Sequence, residues 1–109
     1  MSDRISILTD ETFSHEVSST TAPLLVDFWA PWCGPCRLVA PVLEDLAGQY
    51  EGRVKITKLN VDDNPRTAST FHITSIPTVL VFKGGELVEQ IVGARPREYF
   101  QTVIEKHLG

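Results

Sequence analysis

Apolar and polar positions along the chain follow two different periods, and the first of them predicts strands. Alternating or nearly continuous apolar segments are typical of strands, and they occur at 5–8, 24–29, 54–61, 78–83 and 87–92. The segment at 24–29 is nearly continuous, which indicates a strand buried on both faces. The last two segments are separated by Gly84-Gly85, a dipeptide that favours a tight hairpin.

Helical spacing and helix-start residues alternate with these strands. Apolar residues three or four positions apart predict long helices over 33–50 and 96–108. Two shorter helices are predicted near the other start signals. Thr9 or Asp10 is a candidate amino-terminal cap for one of them, and Asn64-Pro65 reads as a cap followed by a first-turn proline for the other.

The resulting order of elements is β-α-β-α-β-α-β-β-α. Strands that alternate with helices pair in parallel through right-handed crossovers, whereas strands joined by a tight hairpin must be antiparallel. We therefore expect an α/β fold with a mixed central sheet and helices on both faces. A chain of 109 residues is long enough for one such domain, which we predict to span residues 1–109.

Composition and charge narrow the classes of function. The chain is 42% hydrophobic and 22% charged, which is typical of a globular domain. Its net charge of −4, with no run of Lys or Arg, argues against nucleic acid as a partner. The apolar stretches are too short to cross a membrane, and the first residues, including Asp3 and Arg4, contain no apolar signal segment. We therefore expect a cytoplasmic protein whose thiols are kept reduced.

Cys33 and Cys36 are the only cysteines, and they carry the candidate chemistry. Cys33-Gly34-Pro35-Cys36 follows the buried strand and opens a helix, so both sulfurs lie on nearly one face of the first turn. Alpha carbons at this spacing are roughly 5 Å apart, which a disulfide tolerates. Cys33 faces the unpaired N–H groups of the helix start, which favour its thiolate. Cys36 should be more buried and a poorer nucleophile. Pro35 suits the first turn, and Gly34 leaves room for an incoming chain.

Two other interpretations of this pair remain open at this point. A structural disulfide that closes so short a loop would contribute roughly 2 kcal/mol, and the cytosol would reduce it. A zinc half-site would need two more ligands, but His15, His72 and His107 are scattered along the chain and there is no second C-x-x-C. A redox-active dithiol fits the sequence better than either.

The residues around the pair carry a family resemblance. Phe28-Trp29-Ala30-Pro31-Trp32-Cys33-Gly34-Pro35-Cys36 resembles the active-site signature of the thioredoxin family, and Ile76-Pro77-Thr78 resembles its cis-proline loop. The resemblance covers about residues 5–108. It implies the thioredoxin fold and a monomeric thiol–disulfide oxidoreductase that reduces protein disulfides through Cys33 and Cys36.

The resemblance also implies partners. No cofactor should be bound to the chain itself, and a flavin-containing thioredoxin reductase should regenerate the dithiol with NADPH. Implied clients include ribonucleotide reductase, peroxiredoxins and methionine sulfoxide reductase.

Further roles follow from the resemblance. Asp27 would be a buried acid that takes the proton from Cys36, with Lys58 as its counter-ion. On the sequence alone, Asp27 could instead face an edge or solvent, and Lys58 could be a solvated strand residue. Trp29 is expected in the core, and Pro41 should kink the long helix without direct chemistry. Client segments are expected to contact a rim formed by Trp32, Gly34, Pro35, Ser75, Ile76, Pro77, Val92 and Gly93.

Some residues depart from the commonest family pattern, and other classes stay in view. Pro31, Arg37 and Thr74-Ser75 leave the chemistry untouched, but each could change partner preference. An oxidase or isomerase of this fold would carry a His inside the C-x-x-C, and a glutaredoxin would carry a Tyr. A binding module that serves as a non-redox subunit is the alternative from another class.

Overall fold

The computed structural model describes residues 4–108, and the order of elements is the one that the sequence predicts. The elements are β1 (Ile5–Leu8), α1 (Phe13–Ser19), β2 (Leu24–Trp29), α2 (Gly34–Gln49), β3 (Lys55–Asn60), α3 (Pro65–Thr70), β4 (Thr78–Lys83), β5 (Glu86–Val92) and α4 (Arg97–Leu108). Residues 1–3 and 109 of the predicted domain lie outside the described residues. The bounds 1–109 therefore remain a prediction.

One mixed sheet forms the centre of the molecule, with strand order β1-β3-β2-β4-β5. β3 pairs in parallel with both β1 and β2, and β4 is antiparallel to β2 and to β5. Gly84 and Gly85 close the β4–β5 hairpin with φ angles of 61° and 83°, a backbone region that side chains disfavour. The expected mixed α/β sheet is confirmed.

The core has two layers, and β2 is buried between them. Leu25 packs with residues of α2 and α4 on one face, including Leu43 and Ile104. Phe28 belongs to the layer on the other face, which also contains Phe13 of α1. The continuous apolar run of β2 is thus explained by helices above and below it. Within residues 4–108, no helix is long and apolar enough to cross a membrane.

The predicted cap of the first helix is wrong. α1 begins at Phe13 with Thr12 in the cap position, and the Thr12 side chain makes no cap hydrogen bond. Asp10 instead accepts hydrogen bonds from the backbone N–H of Arg66 at 3.1 Å and of Thr67 at 2.8 Å, and from the Thr67 hydroxyl at 2.6 Å. Asp10 therefore satisfies the free N–H groups at the start of α3, a helix more than fifty residues away along the chain.

The sequence correctly predicts where α3 begins but not which side chain caps it. Asn64 does occupy the cap position before Pro65, but its side chain makes no cap hydrogen bond. Its Oδ1 accepts the backbone N–H of Asp10 at 2.9 Å, and its Nδ2 donates to the Asn60 carbonyl at 3.1 Å. Asp10 and Asn64 thus each accept a backbone N–H from the other's segment. These hydrogen bonds join the β1–α1 connection to the start of α3.

The carboxyl ends of β2 and β3 place the site. These strands run in parallel, so Trp29 and Asn60 meet at the same edge of the sheet. The backbone N–H of Val61 donates to the Trp29 carbonyl at 2.9 Å, which continues the pairing past β3. The cysteines follow β2 directly and lie at this edge.

Candidate active site

The two cysteines form a disulfide across the first turn of α2. Their α-carbons are 5.4 Å apart, within the range expected from the spacing. Cys33 occupies the cap position, with Pro35 in the first turn. The backbone N–H of Cys36 donates to Cys33 Sγ at 3.2 Å. A helix-start N–H group therefore points at the Cys33 sulfur, where it would stabilise a thiolate after reduction.

The expected difference in burial between the cysteines is wrong for the disulfide form. Cys33 is 3% exposed and Cys36 is 4% exposed. Both sulfurs are covered because Trp29, Val61 and Ile76 pack against them. What distinguishes the two sulfurs here is the N–H group that Cys33 receives.

The first turn beside the disulfide is open. Gly34 and Pro35 are exposed. A Cβ atom added at Gly34 would meet nothing within 4 Å. The open space is where the sequence leads us to expect an incoming chain.

The loop before β4 lies against the disulfide. The Ile76 carbonyl oxygen is 3.8 Å from Cys33 Sγ, and the Ile76–Pro77 peptide bond is cis. The Pro77 carbonyl accepts the N–H of Gly93 at 2.9 Å, and Gly93 has a φ of +93°. The residue after β5 is therefore joined to the loop that lies beside Cys33.

The remaining members of the predicted rim have different exposures. The Ser75 carbonyl accepts the Thr78 hydroxyl at 2.6 Å, and Ser75 itself is exposed. Val92, which pairs with Thr78 in the β4–β5 ladder, is 44% exposed. An apolar side chain thus remains in solvent on the β5 side of the loop.

Trp32 is the more exposed of the two tryptophans expected near the site, with 68% of its surface in solvent. Its indole N–H donates to both carboxylate oxygens of Asp62, at 3.1 and 3.2 Å. Sequence reasoning missed Asp62. The signal was its position just after β3, because the carboxyl ends of parallel β2 and β3 lie side by side.

Trp29 differs from the expected core aromatic. It is only partly buried, and it packs against the disulfide. Lys58 Nζ lies 5.2 Å from the centre of its ring, a distance that permits a cation–π contact. Lys58 is therefore half-buried on the site rather than a freely solvated strand residue.

Asp27 lies at the bottom of the site. It is 6% exposed, which excludes the edge or solvent position. Asp27 and Lys58 are paired positions of β2 and β3. Burial raises the pKa of Asp27 to about 7, and the charge of Lys58 opposes that rise. No group in residues 4–108 donates a hydrogen bond to Asp27 Oδ1.

A cavity of about 150 Å³ joins the buried acid to the second cysteine. Its walls are formed by Asp27, Trp29, Ala30, Pro31, Cys36, Arg37, Ala40 and Lys58. The cavity has room for water and contains an unsatisfied carboxylate oxygen, which water can satisfy. Asp27 and Cys36 therefore line one cavity. Ala40 and Arg37 are wall residues that the sequence did not assign to the site.

Pro41 and the three histidines lie outside the lining of this cavity. Pro41 lies inside α2, which continues through it to Gln49. His15 and His72 are exposed, and His107 Nε2 is 2.8 Å from Glu89. Within residues 4–108 there is no group of three or more His, Cys, Asp or Glu that could hold a metal ion.

This arrangement defines a class of protein. Two cysteines at the start of a helix can open and close a disulfide without large backbone movement, because their α-carbons already lie at disulfide distance. One sulfur receives a helix N–H group, and the other shares a cavity with an acid whose pKa is near neutrality. These are the features of a thiol–disulfide oxidoreductase.

Comparisons with known proteins identify the family. Residues 4–106 match the family model described as Thioredoxin. Thioredoxin 1 of Nostoc sp. strain PCC 7120 is 54% identical over 93% of this chain and 94% of its own. Thioredoxin 2 of Chlorobaculum tepidum is 49% identical over 100% of both chains. Thioredoxin M-type, chloroplastic, of Chlamydomonas reinhardtii is 50% identical over 91% of this chain and 71% of its own. The chain belongs to the thioredoxin family.

Membership in this family gives the activity. The protein is a thiol–disulfide oxidoreductase that reduces protein disulfides with the Cys33–Cys36 pair. A NADPH-dependent thioredoxin reductase regenerates the dithiol, and the clients are proteins that contain disulfides. The fold and activity implied by the resemblance are confirmed.

Proposed function

We propose that Cys33 is the attacking thiol and Cys36 the resolving thiol. The observation that carries this assignment is the Cys36 N–H group directed at Cys33 Sγ, which stabilises negative charge on that sulfur. The Cys33 thiolate attacks one sulfur of the client disulfide, and the other client sulfur leaves as a thiolate that takes a proton. Cys36 then loses its proton and attacks Cys33, so the client leaves with two thiols and the Cys33–Cys36 disulfide is formed.

Asp27 has the role of proton acceptor for Cys36 in this proposal. The two residues line the same cavity, and a pKa of about 7 allows the Asp27 carboxylate to take and release a proton near neutral pH. Water in the cavity can connect the two groups, since Asp27 Oδ1 has no hydrogen-bond partner among residues 4–108. Lys58 keeps the pKa from rising further. Trp29 and Pro41 support this arrangement through packing and helix shape.

Clients bind, in this proposal, to the rim around Cys33. The rim consists of Trp32, Gly34, Pro35, Ser75, Ile76, Pro77, Val92 and Gly93. The exposure of Trp32 and Val92 supports it, as does the free space above Gly34. An extended client segment can pair with the Ile76 backbone, whose carbonyl lies beside the disulfide.

The finer biological assignments belong to the same proposal. We propose a monomeric domain of residues 1–109 that works in the cytosol without a bound cofactor. Ribonucleotide reductase, peroxiredoxins and methionine sulfoxide reductase are the proposed clients. The chloroplastic M-type thioredoxin among the relatives is the alternative for the compartment.

The experiment that tests this function couples NADPH oxidation, through thioredoxin reductase, to reduction of insulin. Trp32→Ala should raise KM for insulin and leave the alkylation rate of Cys33 unchanged. Arg66→Ala, an exposed cation on α3, is the matched surface control. An unchanged KM in Trp32→Ala would contradict the proposed client surface.

A further inference from the structure

Two residues of the segment that joins β2 to α2 project into solvent. Pro31 and Trp32 are both exposed, and Trp32 keeps 68% of its surface in solvent. The Cys33 N–H donates to the Ala30 carbonyl at 3.1 Å, and this hydrogen bond holds the two ends of the segment together. Polar contacts can therefore set the orientation of the residues between.

Arg37 supplies one of these contacts. Its Nη2 donates to the Pro31 carbonyl oxygen at 3.0 Å. This carbonyl and the Trp32 nitrogen belong to the same planar peptide group. The hydrogen bond therefore fixes the orientation of the plane from which Trp32 projects. Arg37 directly follows Cys36 on α2, so the helix that carries the cysteines also holds the loop in front of them.

Asp62 supplies the second contact, from the segment after β3. It accepts the indole N–H of Trp32, so the backbone of Trp32 is held by α2 and its ring by the residues after β3. A side chain ordered before a client arrives loses less conformational entropy on binding. The two anchors therefore hold Trp32 ready for contact.

We propose that Arg37 is a positioning residue for client binding, which orders Trp32 through the Pro31 carbonyl. The proposal rests on the client surface proposed above, of which Trp32 is a part. Arg37 acts on the affinity for clients through this loop, because its hydrogen bond goes to the Pro31 carbonyl and to neither cysteine. Its side chain also lines the cavity of Asp27 and Cys36, so the resolving step does not serve as a control. A guanidinium is suited to this role since one N–H holds the carbonyl while its other donors stay free.

The test compares Arg37→Ala with Arg37→Lys and with the control Arg66→Ala. Three quantities are measured on the reduced full chain: the heteronuclear NOE of the Trp32 amide and indole, KM and kcat for insulin, and the alkylation rate of Cys33. Arg37→Ala should lower the Trp32 NOE and raise KM about threefold, the effect of one exposed charge-assisted hydrogen bond. The alkylation rate of Cys33 should not change, because the N–H group directed at the Cys33 sulfur comes from Cys36.

Arg37→Lys separates the hydrogen bond from the charge. It should restore both the NOE and KM in part, because an ammonium can reach the carbonyl but lacks the planar fork. Full recovery of KM with a low NOE would show that charge alone attracts the client, and would overturn the proposal. Arg37→Gln replaces Arg37→Ala if a thermal melt shows that the alanine variant unfolds.

Two outcomes keep this proposal distinct from the client surface itself. A raised KM in Trp32→Ala, with neither KM nor the NOE changed in Arg37→Ala, overturns the role of Arg37 and leaves the surface intact. An unchanged KM in Trp32→Ala overturns the surface and, with it, any role of Arg37 in binding.

Discussion

Asp27 and Lys58 are paired across β2 and β3, yet the Asp27 carboxylate is left with an oxygen that accepts no hydrogen bond from residues 4–108. The Lys58 ammonium also lies over the Trp29 ring, so it is shared between an anion and an aromatic face. Its charge lowers the pKa of Asp27, but burial has the larger effect and the pKa rises to about 7. A poorly compensated charge in a central strand should therefore reduce stability.

Asp27→Ala should raise the free energy of unfolding at neutral pH. Because the folded pKa of Asp27 is raised, the neutral acid is tolerated in the fold and its ionisation is not. The destabilisation is absent below the unfolded pKa, 3.8, builds up as pH rises, and is complete above the folded pKa of about 7. Its upper bound is on the order of 4 kcal/mol, less the loss from the small cavity left by alanine. Denaturant melts from about pH 4 to about pH 9 measure the difference.

The control for this experiment is Asp63→Ala, which removes an exposed aspartate just after β3. It should leave the pH profile of stability unchanged. If Asp27→Ala is less stable than the parent at every pH, the carboxylate is a structural group and the interpretation of its raised pKa is wrong.

Asp27→Asn should slow the second chemical step without affecting the first. Cys36 would lose its proton acceptor, whereas Cys33 keeps the helix N–H group that stabilises its thiolate. General-base catalysis contributes roughly a hundredfold or more, so release of the client from the mixed disulfide should slow by about that factor near pH 7. The defect should shrink as pH rises, because Cys36 then ionises unaided. Pre-steady-state mixing with a client at several pH values follows both steps, and equal rates for the two proteins would exclude the role of Asp27.

Cys33→Ser and Cys36→Ser should have different consequences. Cys33→Ser removes the attacking sulfur and should abolish reduction of insulin, whereas Cys36→Ser should accumulate covalent mixed disulfides with clients. In the reduced parent protein, an alkylating agent at neutral pH should label Cys33 much faster than Cys36. Mass spectrometry of the adducts identifies the labelled sulfur. Capture of clients by Cys33→Ser would reverse the two assignments.

The sequence was informative where local pattern and global fold coincide. The apolar run of β2 and the C-x-x-C that opens α2 lie next to each other in the chain, so spacing alone placed the sulfurs at disulfide distance. The burial of Asp27 was open on pattern alone, and it depends on helices that cover both faces of β2.

The contacts that escaped prediction all join residues that are distant in the chain or lie on different elements. Trp32 and Asp62 meet only because parallel strands end at one edge of the sheet. Equal burial of the two cysteines results from Val61 and Ile76, which come from the segment just after β3 and from the loop before β4. The position of a residue relative to the start of its helix does not reveal either contact.

Asp10 is a second aspartate whose ionisation is linked to folding, with the opposite sign from Asp27. Partial burial opposes its charge, but hydrogen bonds from Thr67 and Arg66 outweigh that effect and lower the pKa of Asp10. Its carboxylate therefore stabilises the fold above the unfolded pKa of 3.8, and this contribution is lost as pH falls through the folded pKa.

Asp10→Ala should lower the free energy of unfolding by about 1 kcal/mol near neutral pH, the usual effect of a lost amino-terminal cap. The N–H groups of Arg66 and Thr67 would then have to be satisfied by water at the start of α3. The difference from the parent should begin to diminish as pH falls below about 3.8 and should be lost as pH falls through the lower folded pKa, where the parent's carboxyl is protonated and accepts these bonds less well. Glu11→Ala, which removes the adjacent exposed carboxylate 3.9 Å from Arg66, is the control and should change stability by less than about 0.5 kcal/mol. Insulin reduction well below the melting temperature should be the same in both variants, because α3 carries no residue of the proposed site. An Asp10→Ala protein as stable as the Glu11→Ala control would show that the cap across the fold contributes nothing to stability.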